Sequence, residues 1–285
     1  MIRKLCAFPN DPLIAYLKKG EIKERYFNPK NWFDEVHVIS LFGEDISEEK
    51  VKPLAGDADL FIHKFGKANL LNYKKYETIV KKKIKEIKPD IIRSYNPLVQ
   101  GWLATKAALE LDIPIVISLH TNNEQQRKEV KKNRYFQYLK LLYASKAIEP
   151  FVFKNADRVI CVYNFIVPYA RKMGARNIEV IYNKVDLTRF TPGEISDKKP
   201  TIISVGRLIN QKNHRFLIEA IKDLDVQLII IGDGPNYDAL NKITDSINVR
   251  DKVKFIKKVP NDELVKFYQL ASIYAQPMVN LGGIP

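Results

Sequence analysis

Apolar residues recur along this chain in two alternating rhythms. Short, nearly continuous apolar runs at Ile2–Phe8, Val36–Phe42, Leu60–Phe65, Ile91–Ser94, Ile113–Leu119, Arg158–Val162 and Ile178–Tyr182 read as buried strands. Between them lie stretches whose apolar positions fall three and four apart. In Tyr73–Lys88 these are Tyr76, Ile79, Val80, Ile84 and Ile87, one face of a helix, which Pro89–Asp90 stops. Further helices are expected over Leu98–Leu111, over about 124–155 and over Ile166–Met173. Residues 185–200 then carry Pro, Gly and mixed charge without a period. The alternation restarts with strands at Thr201–Val205, Val226–Ile231, Val253–Ile256 and Ile273–Ala275, and helices at Arg215–Lys222, Tyr237–Ile247 and Asp262–Leu270.

Strands alternating with helices imply a parallel sheet covered on both faces. The expected fold class is therefore α/β: two Rossmann-like doubly wound parallel-sheet domains, 1–184 and 201–285, joined by a linker at 185–200. Ligands of such sheets bind outside the carboxyl ends of the strands, so the crevice between the two domains is the expected site.

Composition narrows the classes. The two cysteines, Cys6 and Cys161, sit inside strand-like runs and read as buried reduced thiols, which suits a cytoplasmic protein. No run approaches the roughly 18–20 apolar residues of a membrane span. The N-terminal run is too short for a secretion signal. Net charge is +14, with 19 Lys/Arg against 10 Asp/Glu over 51–150 and 11 against 9 over 201–285. A basic first half suggests an anionic partner such as a membrane surface or a phosphorylated acceptor. Lysine-clad helix faces such as KKKIKEIK at 81–88 account for it equally well. Nucleic acid is not expected, because no helix-turn-helix, zinc or aromatic RNA-binding motif occurs. A dinucleotide oxidoreductase is disfavoured, because no G-x-G-x-x-G follows the first strand.

Three strand-to-loop junctions in the second half share a design. In SVGRLINQKNHRFLIEA a strand ends at Val205, Gly206 allows a turn, and Arg207 and Lys212 precede a helix, where cations suit phosphate oxygens. In LIIIGDGPNYDAL, Gly232 and Gly234 allow close backbone approach and Asp233 can cap. In FIKKVPNDELVKFY, Val259 and Pro260 end a strand before a helix capped by Asn261 or Asp262.

Together, in this order and spacing, the junctions resemble the donor-binding domain of retaining GT-B glycosyltransferases of family 4, also called group 1. The preceding VIYNKVDLTRFTP is similar to the family's domain-joining segment, with Lys184 in place of a glycine. The resemblance covers 149–276 and, less closely, 1–148. It implies a retaining transfer from a nucleotide-diphosphate sugar to an acceptor hydroxyl of a glycan or lipid-linked acceptor, in cell-surface glycan or glycolipid synthesis. Arg207 and Lys212, with Gly206, would hold the donor diphosphate without a metal or other cofactor. Gly232, Asp233, Gly234, Val259 and Pro260 would lie at the nucleotide. His120, at the end of the strand in SLHTNNE, would face the transferred sugar. A sugar-nucleotide epimerase on the same fold is the alternative.

The chain departs from the family twice. The Gly-Gly loop after the first strand is absent; Gly20, read as opening a helix at Glu21, is the candidate substitute, with a plain turn as the other reading. The paired-glutamate motif is also incomplete. Asn280 or Leu281 stands near its first position, Gly282 and Gly283 offer amides to the diphosphate, and its second position lies past Pro285. A further βα unit and a closing helix are expected there, so this length of chain is expected to be a fragment. Finally, the stretch Tyr135–Phe153, with Arg127, Lys128, Lys131, Lys132 and Arg134 upstream, reads either as a core helix or as a basic-aromatic face for the inner membrane surface.

Overall fold

β-Branched and aliphatic runs pair as parallel strands because, covered on both faces, they can be apolar throughout. In the computed structural model, which describes residues 2–20, 22–43, 45–183, 185, 187–193 and 199–278, the chain divides into two units, Met1–Asn183 and Lys184–Pro285.

The first unit contains β1 (Lys4–Phe8), α1 (Leu13–Lys19), β2 (Glu35–Ser40), β3 (Asp59–Lys64), α2 (Glu77–Ile87), β4 (Ile91–Ser94), α3 (Val99–Leu111) and β5 (Ile115–Leu119). It continues with α4 (Asn123–Asn133), α5 (Tyr135–Tyr143), α6 (Glu149–Asn155), β6 (Arg158–Cys161), α7 (Val167–Lys172) and β7 (Ile178–Val180). Its strands form one parallel sheet in the order β3-β2-β1-β4-β5-β6-β7. Side chains alternate across it. Cys6, Phe8 and Ile39 enter one core layer with α2, α3 and α6, while Leu5, Ala7, Val36 and Val38 enter the other with α1. Both cysteines are free and buried, and burial pushes the Cys161 thiol up to about 11.

The second unit contains β8 (Thr201–Val205), α8 (His214–Ala220), β9 (Gln227–Ile231), α9 (Tyr237–Ser246), β10 (Val253–Ile256), α10 (Leu264–Leu270) and β11 (Ile273–Tyr274). Its parallel sheet runs β10-β9-β8-β11 around a core of Ile202, Ile218, Leu228, Ile230 and Leu240.

Two readings of the helices change. The stretch expected as one helix over about 124–155 is divided. Arg134, at φ −144° and ψ 66°, separates α4 from α5, and a π-helical turn at Ala144–Ile148 joins α5 to α6. Pro150 explains that turn: it lacks the N–H that a regular helix would use there, and the preceding turn widens around it. The last helix starts at Leu264, because a turn closed by Glu263 N–H on the Pro260 carbonyl (3.0 Å) occupies the expected capping positions. Among the described residues no helix is long and apolar enough to cross a membrane.

Candidate functional site

All four strands of the second sheet are parallel, so the loops after them leave from one edge. Strand order reverses about β8, which makes the ends of β8 and β11 the switch point of this sheet. Gly206 and Gly232 each extend the ladder by one residue, donating N–H to the carbonyls of Ile231 (2.9 Å) and Ile256 (2.8 Å). The two loops then interlock. A Cβ on Gly232 would collide with the Gly206 carbonyl, and one on Gly234 would lie 2.6 Å from the Leu208 carbonyl oxygen. Leu208 N–H donates to the Asp233 carbonyl (3.0 Å), and Asp233 Oδ1 accepts from Gly234 N–H (2.8 Å). These glycines therefore serve loop-on-loop packing.

Lys212 ends the short turn Asn210–Lys212, after which Asn213, at φ 54°, redirects the chain into α8. Its side chain passes over Gly206, and its Nζ lies 3.5 Å from Met278 Sδ, a weak acceptor. Arg207 is exposed and, among the described residues, forms no ion pair; neither does Lys212. Gln276 Nε2 reaches the same spot without a hydrogen-bond partner among the described residues, while its Oε1 accepts from the Tyr274 hydroxyl (2.6 Å). Sequence reasoning missed Gln276 and Met278, whose only signal was their place after the last strand. His214 points inward at 2% exposure, with neither ring nitrogen hydrogen-bonded among the described residues. Burial, then the nearby Lys212 charge, holds its pKa down to about 4. Val259 and Pro260 lie on the loop after β10, on the same edge but beyond β9.

In the first sheet the order reverses between β1 and β4. There Asn96 Nδ2 donates to Asn10 Oδ1 (3.1 Å) and to Gln100 Oε1 (3.1 Å). His120 follows β5 on the same edge, its ring stacked at 6.4 Å from that of Tyr95. The Arg93 guanidinium lies 4.5 Å over Tyr95 and donates from Nε and Nη2 to Ser118 Oγ (3.2 and 3.1 Å). Burial, then the Arg93 charge, lowers the His120 pKa, so the ring is neutral at pH 7, and its Nε2 has no partner among the described residues. Sequence reasoning singled out His120 but missed Arg93, Tyr95, Asn10 and Asn96. Their only signal was a polar residue in or just after a strand.

The reading of Gly20 needs correction. It does not open a helix; it ends α1 as a left-handed cap at φ 65°, with its N–H on Leu17 and Tyr16 carbonyls. A helix carboxyl end presents carbonyl oxygens and a partial negative charge, the wrong sign for a phosphate. Asn280, Gly282 and Gly283 lie outside the described residues. The structure thus gathers Gly206, Arg207, Lys212, Gly232, Asp233 and Gly234 on adjoining loops. Arg207 and Lys212, neither with a carboxylate partner among the described residues, thus stand on a turn packed by glycines, and cations of this kind suit anionic oxygens.

A family profile described as Glycosyltransferase Family 4 matches residues 33–189, and one described as Glycosyl transferases group 1 matches residues 188–285. The chain belongs to glycosyltransferase family 4. It is 27% identical over 189 residues to an uncharacterised glycosyltransferase of Methanocaldococcus jannaschii, covering 66% of this chain and 49% of that one. It is 24% identical over 213 residues to the alpha-monoglucosyldiacylglycerol synthase of Streptococcus pneumoniae, covering 67% and 47%. This family 4 chain therefore spans about half the length of these relatives. Among solved structures, Anabaena HepE in complex with UDP and glucose superposes with a TM-score of 0.67 at 15% identity, over 97% of this chain and 74% of that one. The lipopolysaccharide outer core galactosyltransferase WaaB superposes with a TM-score of 0.64 at 15% identity, over 96% and 74%. The α/β fold of parallel sheets expected from the sequence is thus the GT-B fold of these glycosyltransferases.

Proposed function

We propose that this glycosyltransferase moves a sugar from a nucleotide-diphosphate donor to an acceptor hydroxyl with retention of anomeric configuration. The observation that carries the proposal is the pair Arg207 and Lys212, which meet no carboxylate among the described residues at the switch point of the second sheet. The leaving nucleotide diphosphate gains negative charge as the glycosidic bond breaks, and fixed cations stabilise that charge most. Two such cations make a divalent metal unnecessary for donor binding. Gly282 and Gly283 would add amides. The glycines at 232 and 234 shape the nucleotide loop, and Asp233, Val259 and Pro260 offer the contacts. In the first unit, neutral His120 supplies an uncharged hydrogen-bonding edge toward the transferred sugar, with Asn280 as the second candidate at the reacting centre.

The acceptor would be a glycan or a lipid-linked glycan at the inner face of the membrane, in cell-surface glycan or glycolipid synthesis. Relatives named as a monoglucosyldiacylglycerol synthase and as a phosphatidylinositol monomannoside mannosyltransferase of Mycobacterium tuberculosis support that direction. Calorimetric titration with UDP, GDP and ADP, without metal, tests the donor site. One nucleotide is expected to bind in the micromolar to millimolar range. Failure of all three to bind overturns the reading.

A further inference from the structure

The stretch Tyr135–Phe153 has two halves with opposite fates. From the end of the π-helical turn onward, Ile148, Val152 and Phe153 are buried in the core. Before it, α5 buries only Leu141 and leaves Tyr135, Phe136, Leu139 and Tyr143 in solvent, Phe136 at 81% exposure. Phe136, Leu139 and Tyr143 are three and four apart, so they share one helix face.

A second element adjoins this face. Tyr73 and Tyr143 hydroxyls are 3.1 Å apart, and both side chains line an open groove of about 480 Å³ together with Leu70, Leu71, Lys74 and Lys75. Leu71 is 82% exposed although its loop is well tied. Asn72 accepts from Asn69 N–H (2.7 Å) and donates to the Lys67 carbonyl (3.1 Å), and Asn69 Oδ1 accepts from Leu71 N–H (2.8 Å). A single exposed leucine is ordinary, but Leu71 lines the same groove as Tyr143 of α5, and apolar side chains grouped on a surface mark a partner.

The charge of both elements has one sign. No aspartate or glutamate occurs from Leu60 to Tyr76 or from Val130 to Ile148, whereas Lys67, Lys74, Lys75, Lys131, Arg134, Lys140 and Lys146 do, all exposed. Exposed aromatics and leucines ringed by cations match the headgroup boundary of an anionic bilayer: rings sit at the headgroups, leucines reach acyl chains, and cations meet lipid phosphates. Nucleic acid fits less well, since leucines offer nothing to stack on a base.

We propose that α5 and the 67–76 loop together form a docking surface for an anionic phospholipid membrane, and that the groove beneath Tyr73 and Tyr143 takes the lipid end of a phospholipid. The proposal rests on the reading of a membrane-facing acceptor side, and vesicle binding is measured without any sugar donor, so either can fail alone.

The test is sedimentation of the protein with vesicles of phosphatidylcholine containing phosphatidylglycerol, against vesicles of phosphatidylcholine only. Binding is expected to the former, to weaken with salt, and to drop about fivefold for each of Lys74→Gln and Lys140→Gln, as about 1 kcal/mol per cation implies. The double variant Leu71→Ser, Phe136→Ser, both positions mainly in solvent, is expected to reduce binding at least about tenfold with an unchanged circular dichroism spectrum. Lys254→Glu, an exposed charge change in the second unit, is expected to stay within about twofold. Three results would overturn the proposal: equal binding to both vesicle types, undiminished binding by the double variant, or displacement of the vesicles by single-stranded RNA that binds the same face more tightly.

Discussion

The carbonyl oxygen of Gly206 occupies the place where a side chain on Gly232 would begin. The obstacle is backbone, which cannot swing aside. Gly232→Ala is therefore expected to force the two loops apart and cost about 1–3 kcal/mol, the usual range for overpacking. A lowered denaturation midpoint of the second unit, together with weakened nucleotide binding, would show that the loops act as one piece. A midpoint at the parental value would mean that they part freely.

Arg207 and Lys212 are predicted to contribute separately. If each donates charged hydrogen bonds to phosphate, Arg207→Ala and Lys212→Ala should each weaken nucleotide-diphosphate binding by about 1.5–3 kcal/mol, read by calorimetry. Both are at or near the surface, so little change in stability is expected. Full affinity in both variants would remove the donor-site assignment.

His120→Ala is expected to lower turnover while leaving nucleotide affinity nearly intact, because the ring stands at the first sheet and the cations at the second. Its depressed pKa adds a pH signature. Burial and the Arg93 charge shift protonation of the ring below the ordinary histidine range, so protonation of His120 should not reduce the rate between pH 7 and about 6.5. A parallel loss of nucleotide affinity in the variant would mark His120 as a donor contact instead.

His214 sets a pH dependence of stability. Its ring titrates near 6.5 when unfolded and at about 4 when folded. Between those values the unfolded chain binds more protons. Stability is therefore complete above about 6.5, falls as pH drops, and levels off below about 4, a loss of at most about 3 kcal/mol. His214→Leu should flatten part of this slope; His63, held at about 4 by burial and then by His37, keeps another part. Denaturant titrations at pH 7 and pH 4.5 would measure the difference, and an identical slope in the variant would refute it.

Glu149 is fully buried and accepts from Asn123 Nδ2 (2.6 Å), the Tyr169 hydroxyl (2.5 Å) and Arg127 Nη1 (3.3 Å). Glu149→Ala would leave the buried Arg127 without its counter-charge, at a cost of about 3–5 kcal/mol. Tyr169→Phe removes one bond and should cost about 1 kcal/mol. Urea midpoints of the first unit would separate the two, and equal effects would show that the ion pair matters no more than the single hydroxyl.

The strands were legible because long apolar runs have few other uses, and Thr201–Val205 and Val253–Ile256 were placed to the residue. The helix Leu13–Lys19 was not, since two turns with only Leu13 fully buried give no period to count. Arg207 and Lys212 stood out through spacing along the chain. The contact of Arg93 with Ser118 and that of Asn10 with Asn96 did not, because the pairing of β1, β4 and β5 creates them. The glycines at 232 and 234 were recognised as places of close approach, but what approaches them is the neighbouring loop, which no local pattern reveals. The aromatic stretch kept two readings because its burial changes midway, at a π-helical turn that sequence periodicity blurs.

That turn also fixes a direction. A π-helical turn carries one residue more than the α-helical turn it replaces, and each residue advances a helix by about 100°. The azimuth at which α5 leaves α6 thus depends on a single extra residue between Ala144 and Ile148. Loss of that residue would swing Phe136 and Leu139 about a quarter-turn round the helix axis with no change in their chemistry. In relatives of this chain, insertion or deletion at this one point would re-aim the whole arm, so gaps there should track acceptor type more closely than substitutions along α5 do.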